Sequence, residues 1–135
     1  MIDMNAPKKI LLVDDETNLL RSVAKTLLRA GYEVETATSN TGASELVNAA
    51  SRSGDPFDMV ILDLNMPNFS GHESKYAGLE LLAHLKVKTP DTPVVINSAW
   101  DEVETAKLCL DRGAADYFVK GRTDEMLQKI RSVLR

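Results

Sequence analysis

Lys8-Lys9-Ile10-Leu11-Leu12-Val13 runs directly into Asp14-Asp15-Glu16. An unbroken apolar run of this kind suits a strand covered on both faces, as in the middle of a parallel sheet. The acids that stop it put negative charge at the strand's carboxyl end. The same arrangement recurs at Phe57-Asp58-Met59-Val60-Ile61-Leu62, which ends at Asp63, and at Pro93-Val94-Val95-Ile96-Asn97, which is followed by Ser98. An alternating stretch from Tyr32 to Ala37 and the short Tyr117-Phe118-Val119, followed by Lys120, complete five expected strands.

Helical stripes separate these strands. Leu19, Leu20, Val23, Leu27 and Leu28 mark a helix over 17–30, ended by Gly31. Ala43, Leu46, Val47 and Ala50 mark a second over 41–52, closed by Ser53-Gly54, and Gly78, Leu81, Leu82 and Leu85 a third reaching about Lys88. Asp101 to Arg112 reads as the fourth, with Asp101 as its cap and Glu104 three positions on. Thr123 is expected to cap the last, whose inner face holds Met126 or Leu127, Ile130 and Leu134. Residues 1–7 read as a lead-in and 8–135 as one domain. Strand and helix in strict alternation predict a doubly wound (βα)₅ α/β fold, a parallel sheet with helices on both faces joined by right-handed crossovers. In such sheets ligands bind beyond the carboxyl ends of the strands.

Composition narrows the function classes. The chain has 135 residues, the size of one domain, with 44% hydrophobic and 27% charged residues, which favours a packed core over disorder. Sixteen basic against twenty acidic residues give a net charge of −4, with an isoelectric point of about 5.2. That balance argues against direct nucleic-acid contact. No apolar run reaches the roughly 18 residues of a membrane span, and MIDMNAPKK lacks a signal-peptide core. The single cysteine, Cys109, forms no internal disulfide and suits a reducing, cytoplasmic setting. A two-domain enzyme, a membrane protein and a disulfide scaffold are not expected.

The strand ends bring chemistry together. Asp14 and Asp15 follow the first strand, Asp63 ends the third, Ser98 the fourth and Lys120 the fifth. Three neighbouring carboxylates repel one another and raise one another's pKa. A hard divalent cation relieves this, because Mg²⁺ takes few carboxylates and keeps water and phosphate oxygens in its shell. A lysine and a hydroxyl facing the same acids suit a phosphoryl group, and an aspartate can serve as its nucleophile.

The segments Ile10–Glu16, Asp58–Pro67, Val94–Ala99 and Gly113–Lys120 together resemble the receiver domain of two-component response regulators, over about Lys8 to Leu134. The resemblance implies a flavodoxin-like strand order 2-1-3-4-5. It implies that Asp63 is the phosphoacceptor, charged by a sensor histidine kinase, a phosphotransfer protein or a small donor. By the same resemblance Asp15 and Asp63 ligate Mg²⁺ (or Mn²⁺), Asp14 assists through water, and Asn65 offers its backbone carbonyl. Ser98 and Lys120 hold phosphoryl oxygens. Tyr117 is the aromatic that moves inward with Ser98, and the surface of the fourth helix, fifth strand and fifth helix carries the readout to a downstream protein or an output domain. Dimerisation through that face is compatible with the pattern but not decided by it. Such a chain is a phosphoacceptor signalling domain, catalysing only its own phosphorylation and dephosphorylation.

Three features depart from the family pattern. Asn68 to Ala77 carries about seven extra residues, including His72, Glu73, Lys75 and Tyr76, beside the expected phosphorylation site. They read as a lid, a partner contact or a tolerated loop. Gly121 follows Lys120 where the family has a proline in a cis bond; a cis bond before glycine costs roughly 3–4 kcal/mol, so a trans or more mobile lysine loop is expected. Ser98 stands where threonine is commoner, and Trp100 is a bulky neighbour expected to slow hydrolysis of the phosphoryl group.

Blander readings exist for each residue alone. Asp14, Asp15 and Asp63 are common turn and cap residues, and Tyr117 is an ordinary strand aromatic. Cys109 reads as a packed thiol, His84 as solvated, Lys8-Lys9 as a strand start, and His72-Glu73 as a weak metal pair. Two other functions share the fold class. An aspartyl-nucleophile phosphatase would carry its nucleophile after the first strand, in an Asp-x-Asp-x-Thr pattern. A flavin-binding electron carrier would cradle phosphate after the first strand, where this chain has Asp14-Asp15-Glu16.

Overall fold

The computed structural model describes residues 6–99 and 102–134. In chain order the elements are β1 (Lys9–Val13), α1 (Thr17–Arg29), β2 (Glu33–Ala37), α2 (Asn40–Arg52), β3 (Met59–Asp63), β4 (Met66–Pro67), β5 (Glu73–Ser74), α3 (Ala77–Lys88), β6 (Val94–Ser98), α4 (Val103–Asp111), β7 (Asp116–Val119) and α5 (Thr123–Val133). The five longer strands pair in parallel in the order β2-β1-β3-β6-β7. Counted within that sheet alone, this is the expected order 2-1-3-4-5. The inner strands β1, β3 and β6 are apolar runs buried from both sides, with every residue of β3 and of β6 buried, whereas the edge strand β2 exposes Glu33, Glu35 and Thr36.

The period of two along each strand builds two cores. Ile10, Leu12, Met59, Ile61, Val95 and Phe118 face α1 and α5, where they meet Leu20, Leu27, Met126 and Ile130. Leu11, Val13, Val60, Leu62, Val94 and Ile96 face α2, α3 and α4, where they meet Val47, Leu81, Leu82, Leu85 and Cys109. Burial pushes the Cys109 thiol up to about 11, so it stays a packed, protonated side chain, as expected. Leu127 and Leu134 pack half-buried against the α1–α5 core, while Met126 and Ile130 are its buried members from α5.

Helix ends follow local chemistry. Ser39 caps α2, its Oγ accepting from the Gly42 amide at 3.1 Å. Ser39→Ala should lower stability by about 1 kcal/mol, seen as a shifted urea midpoint with an unchanged slope. Thr123 is the first residue of α5, not its cap; Arg122 occupies that position and no side chain caps the helix. Asp124 and Glu125 in the first turn supply favourable charge to the helix dipole instead. Residues 1–5, Trp100 and the expected cap Asp101 lie outside the described residues. Before α4, Glu102 Oε1 accepts from the Ala99 amide at 3.1 Å.

The segment read as a polar loop contains a small antiparallel hairpin. Met66 lies opposite Ser74 and Pro67 opposite Glu73. Asn68 organises its turn, Oδ1 accepting from the Ser70 and His72 amides at 3.0 and 3.1 Å. His84, expected on the solvated side of its helix, is half-buried. Its Nε2 lies 2.9 Å from Ser44 Oγ on α2, and its ring centroid 5.1 Å from that of Phe69 in the hairpin. Both partners come from other elements, so spacing within α3 does not reveal them.

Candidate functional site

At the carboxyl edge of the sheet, three strands deliver their chemistry with the same parity. Asp14 is two residues beyond Leu12, Asp63 two beyond Ile61 and Lys120 two beyond Phe118, and each of those apolar residues belongs to the core under α1 and α5. Side chains two apart in a strand share a face, so the two acids and the lysine meet. Lys120 Nζ lies 3.1 Å from Asp63 Oδ2 and 3.5 Å from Asp14 Oδ2. The remaining oxygens are fixed by backbone: Asp63 Oδ1 accepts from the Leu64 amide at 2.8 Å, and Asp14 Oδ1 from the Glu16 amide at 3.0 Å. Asp14 and Asp63 are each 2% exposed.

Asp15 completes an acidic cluster. Oxygens of Asp14, Asp15 and Asp63 all lie within 4.8 Å of one another. Burial raises the Asp63 carboxyl to about 7, the Asp14 charge adds to the rise, and Lys120 only partly opposes it. For Lys120, burial acts downward, but the Asp63 and Asp14 carboxylates outweigh it and hold the ammonium above its ordinary pKa. Lys120 thus stays charged, and one lysine does not balance three acids. An all-oxygen donor set with excess negative charge can hold a metal ion, and its chemistry matches a hard divalent cation.

Ser98 belongs to the other parity, with Val94 and Ile96. It is fully buried and its Oγ has no hydrogen-bond partner among the described residues, while its carbonyl accepts from the Lys120 amide at 2.8 Å. That bond ties the lysine loop to the strand carrying the hydroxyl. The Lys120–Gly121 peptide is trans, since no cis bond occurs among the described residues. Gly121 has φ +89°, a left-handed conformation that accounts for glycine here. Tyr117 is half-buried on β7 against the α2–α3–α4 core, with Lys129 Nζ 4.9 Å from its ring centroid. Asn65 is exposed in the turn joining β3 to β4.

Two contributors escape a reading of the sequence. Gly78, which counts there as one member of an apolar stripe, lies against the phosphoacceptor strand: its amide donates to the Leu64 carbonyl at 3.0 Å. A Cβ on it would lie 2.7 Å from the Asp63 carbonyl oxygen. The available signal was a glycine inside a helical pattern. Glu73 of the hairpin is the other: the neighbouring Asp15 carboxyl raises its pKa. His72, paired with it as a weak metal site in the sequence, is exposed and outside the acidic cluster.

Comparison with known proteins agrees with this geometry. Residues 10–131 match the model of the response regulator receiver domain. Response regulator ArlR of Staphylococcus epidermidis is 39% identical over 127 residues, covering 93% of this chain and 52% of that protein. The alginate biosynthesis transcriptional regulatory protein AlgB of Pseudomonas aeruginosa is 37% identical over 120 residues, covering 89% of this chain and 24% of that protein. The chain therefore spans about half the length of ArlR and about a quarter of AlgB. Among solved structures, the receiver domain of NtrX from Brucella abortus superposes with a TM-score of 0.78 at 32% identity, covering 93% of this chain and 97% of that one. A receiver domain protein from Clostridium thermocellum gives 0.80 at 27% identity, covering 94% of each chain. By its matched sequence, its sheet order and its acid–lysine edge, the chain belongs to the response regulator receiver domain family.

Proposed function

We propose that the chain is a phosphorylation-dependent switch of a two-component system, with Asp63 as phosphoacceptor. The observation that carries this is a buried carboxylate with one oxygen held by a backbone amide and the other 3.1 Å from the Lys120 ammonium, in an acidic cluster beside an unpartnered hydroxyl. One carboxylate oxygen of Asp63 attacks the donor phosphorus. The bond from phosphorus to the donor's imidazole nitrogen or acyl oxygen breaks, and its electron pair leaves with the donor. Lys120 follows the charge from carboxylate to phosphoryl oxygen as a compact ammonium. Asp14 and Asp15, with the Asn65 carbonyl, would hold Mg²⁺, which neutralises phosphoryl charge and favours ionised Asp63.

The readout begins at Ser98. Its unpartnered Oγ turns to donate to a phosphoryl oxygen, and Tyr117 moves into the space released beside β6. The affected surface is that of α4, β7 and α5, and its population shift is read by a partner protein or an output domain. A sensor histidine kinase or phosphotransfer protein supplies the phosphoryl group. The phosphatase reading is weaker because the buried carboxylate follows β3. The flavin reading is weaker because the edge is acidic and repels phosphate.

Incubation of the whole chain with Mg²⁺ and an acyl phosphate tests the reading by intact mass. Wild type should gain one phosphoryl group only when Mg²⁺ is present, and Asp63→Asn should gain none. Equal phosphorylation of the variant would remove Asp63 from its role. No labelling by either the small donor or a histidine kinase, with the fold intact, would overturn the switch reading.

A further inference from the structure

Lys129 on α5 has no part in the reading above, yet its ammonium is held from several sides. Its Nζ donates to the Tyr117 carbonyl on β7 and lies 3.4 Å from Asp116 Oδ1 and 3.4 Å from Glu125 Oε1. The same ammonium stands over the Tyr117 ring, 4.9 Å from its centroid. Asp116 Oδ1 also accepts from the Tyr117 amide at 2.8 Å. Both backbone groups of Tyr117 are therefore bonded by side chains, and its ring is faced by a cation.

An ammonium over an aromatic face attracts the negative side of the ring's quadrupole. Lys129 is not free to follow that ring, because two carboxylates and a carbonyl hold it in place. β7 is an edge strand with β6 as its only neighbour in the sheet. Ser98 is on β6, whereas Lys129 comes from α5. A ring that moves in beside β6 leaves its cation, and a ring that stays keeps it. We infer that Lys129 is a positioning residue that holds the Tyr117 ring outward and so sets how far the switch leans to its resting state. This rests on the switch reading given under Proposed function. A contact made in only one of two states shifts their populations by its own strength. A ligand that needs the other state then binds more weakly by the same factor.

The test is titration of the whole chain with beryllofluoride, a phosphoryl mimic, at saturating Mg²⁺, followed by amide NMR spectra that also report the fold. Lys129→Gln keeps a donor for the Tyr117 carbonyl and removes the charge. It should tighten beryllofluoride binding about threefold, the size of an exposed cation–π contact. Lys129→Met, which lacks charge and donor alike, should tighten it at least as much. Lys129→Arg keeps the charge and should bind like wild type. In a Tyr117→Ala background Lys129→Gln should change nothing, because the ring it acts on is gone. A merely structural lysine would behave in the opposite way, its loss loosening the fold and weakening binding. Unchanged or weaker binding by Lys129→Gln, or by Lys129→Met should the first variant not fold, would overturn the inference and leave the switch reading intact. Equal tightening in the Tyr117→Ala background would overturn it too, by detaching the effect from the ring. Folded wild type that binds no beryllofluoride would overturn the switch reading itself, and the inference with it.

Discussion

Asp63→Asn should raise the melting temperature of the metal-free protein at pH 8, although it abolishes phosphoryl acceptance. The Asp63 carboxyl is lifted from 3.8 to about 7, chiefly by burial and then by Asp14, with Lys120 pulling the other way. A raised carboxyl pKa means that the folded state holds a proton the unfolded chain has released. Stability from this group is therefore complete below about pH 3.8, declines as pH rises, and is lost once pH passes about 7. This rise corresponds to at most about 4 kcal/mol. Lys120 gains from the same contact, since its own pKa is raised by Asp63, and removing Asp63 forfeits that gain. The net increase expected for Asp63→Asn is about 2 kcal/mol, or roughly 6 °C for a domain of this size. Melting curves in a chelator at pH 8 and pH 5 test this. The advantage should be clear at pH 8 and shrink at pH 5, where wild type keeps its proton. Saturating Mg²⁺ should shrink it at pH 8 as well, by stabilising wild type more than the variant. A variant less stable than wild type at pH 8 would show that the Lys120 contact outweighs the burial of charge.

Gly78→Ala should be the most damaging single-methyl change in the chain. In an ordinary helix interior, glycine to alanine stabilises by about 1 kcal/mol. Here the added Cβ would sit 2.7 Å from both the Asp63 carbonyl oxygen and the Leu64 Cα, and 2.9 Å from Leu64 Cδ2. Two of those atoms are backbone of the strand end that carries the phosphoacceptor, so no side-chain rotation relieves the contact. Pushing α3 away would disturb Ala77, Leu81, Leu82 and Leu85, all buried in the α2–α3–α4 core. Overpacking against backbone costs about 3 kcal/mol, the upper part of the usual range, and overrides the helix-propensity gain. Denaturant unfolding should show a net loss of about 2 kcal/mol. The rate of labelling by an acyl phosphate should fall even where the protein is fully folded, because Asp63 is displaced with its carbonyl. A variant as stable and as readily labelled as wild type would mean that α3 shifts freely over β3.

Much of the fold was legible because its signals are local. Ile10–Val13, Met59–Leu62 and Val94–Ile96 are uninterrupted apolar runs, and only a strand covered from both sides needs one. Asp14 and Asp63 stand where two of those runs stop, Ser98 closes the third strand of the set and Lys120 follows Tyr117–Val119, and the period of two sends Asp14, Asp63 and Lys120 to one face. Other features depend on which elements become neighbours. The half-burial of His84 is set by Phe69 and Ser44, which lie in other elements. The closeness of Glu73 to Asp15 is set by a hairpin whose strands are only two residues each, too short to show a period. The need for glycine at position 78 is set by a strand end fifteen residues earlier. The sequence alone determined the alternation of strands and helices and the gathering of acids, hydroxyl and lysine at one edge, since side-chain period and strand termination are encoded residue by residue. Only the tertiary structure decided how closely that edge is built, that Ser98 Oγ is left unpartnered and that a hairpin brings a further carboxyl to Asp15, because contacts across elements leave no periodic trace in the chain.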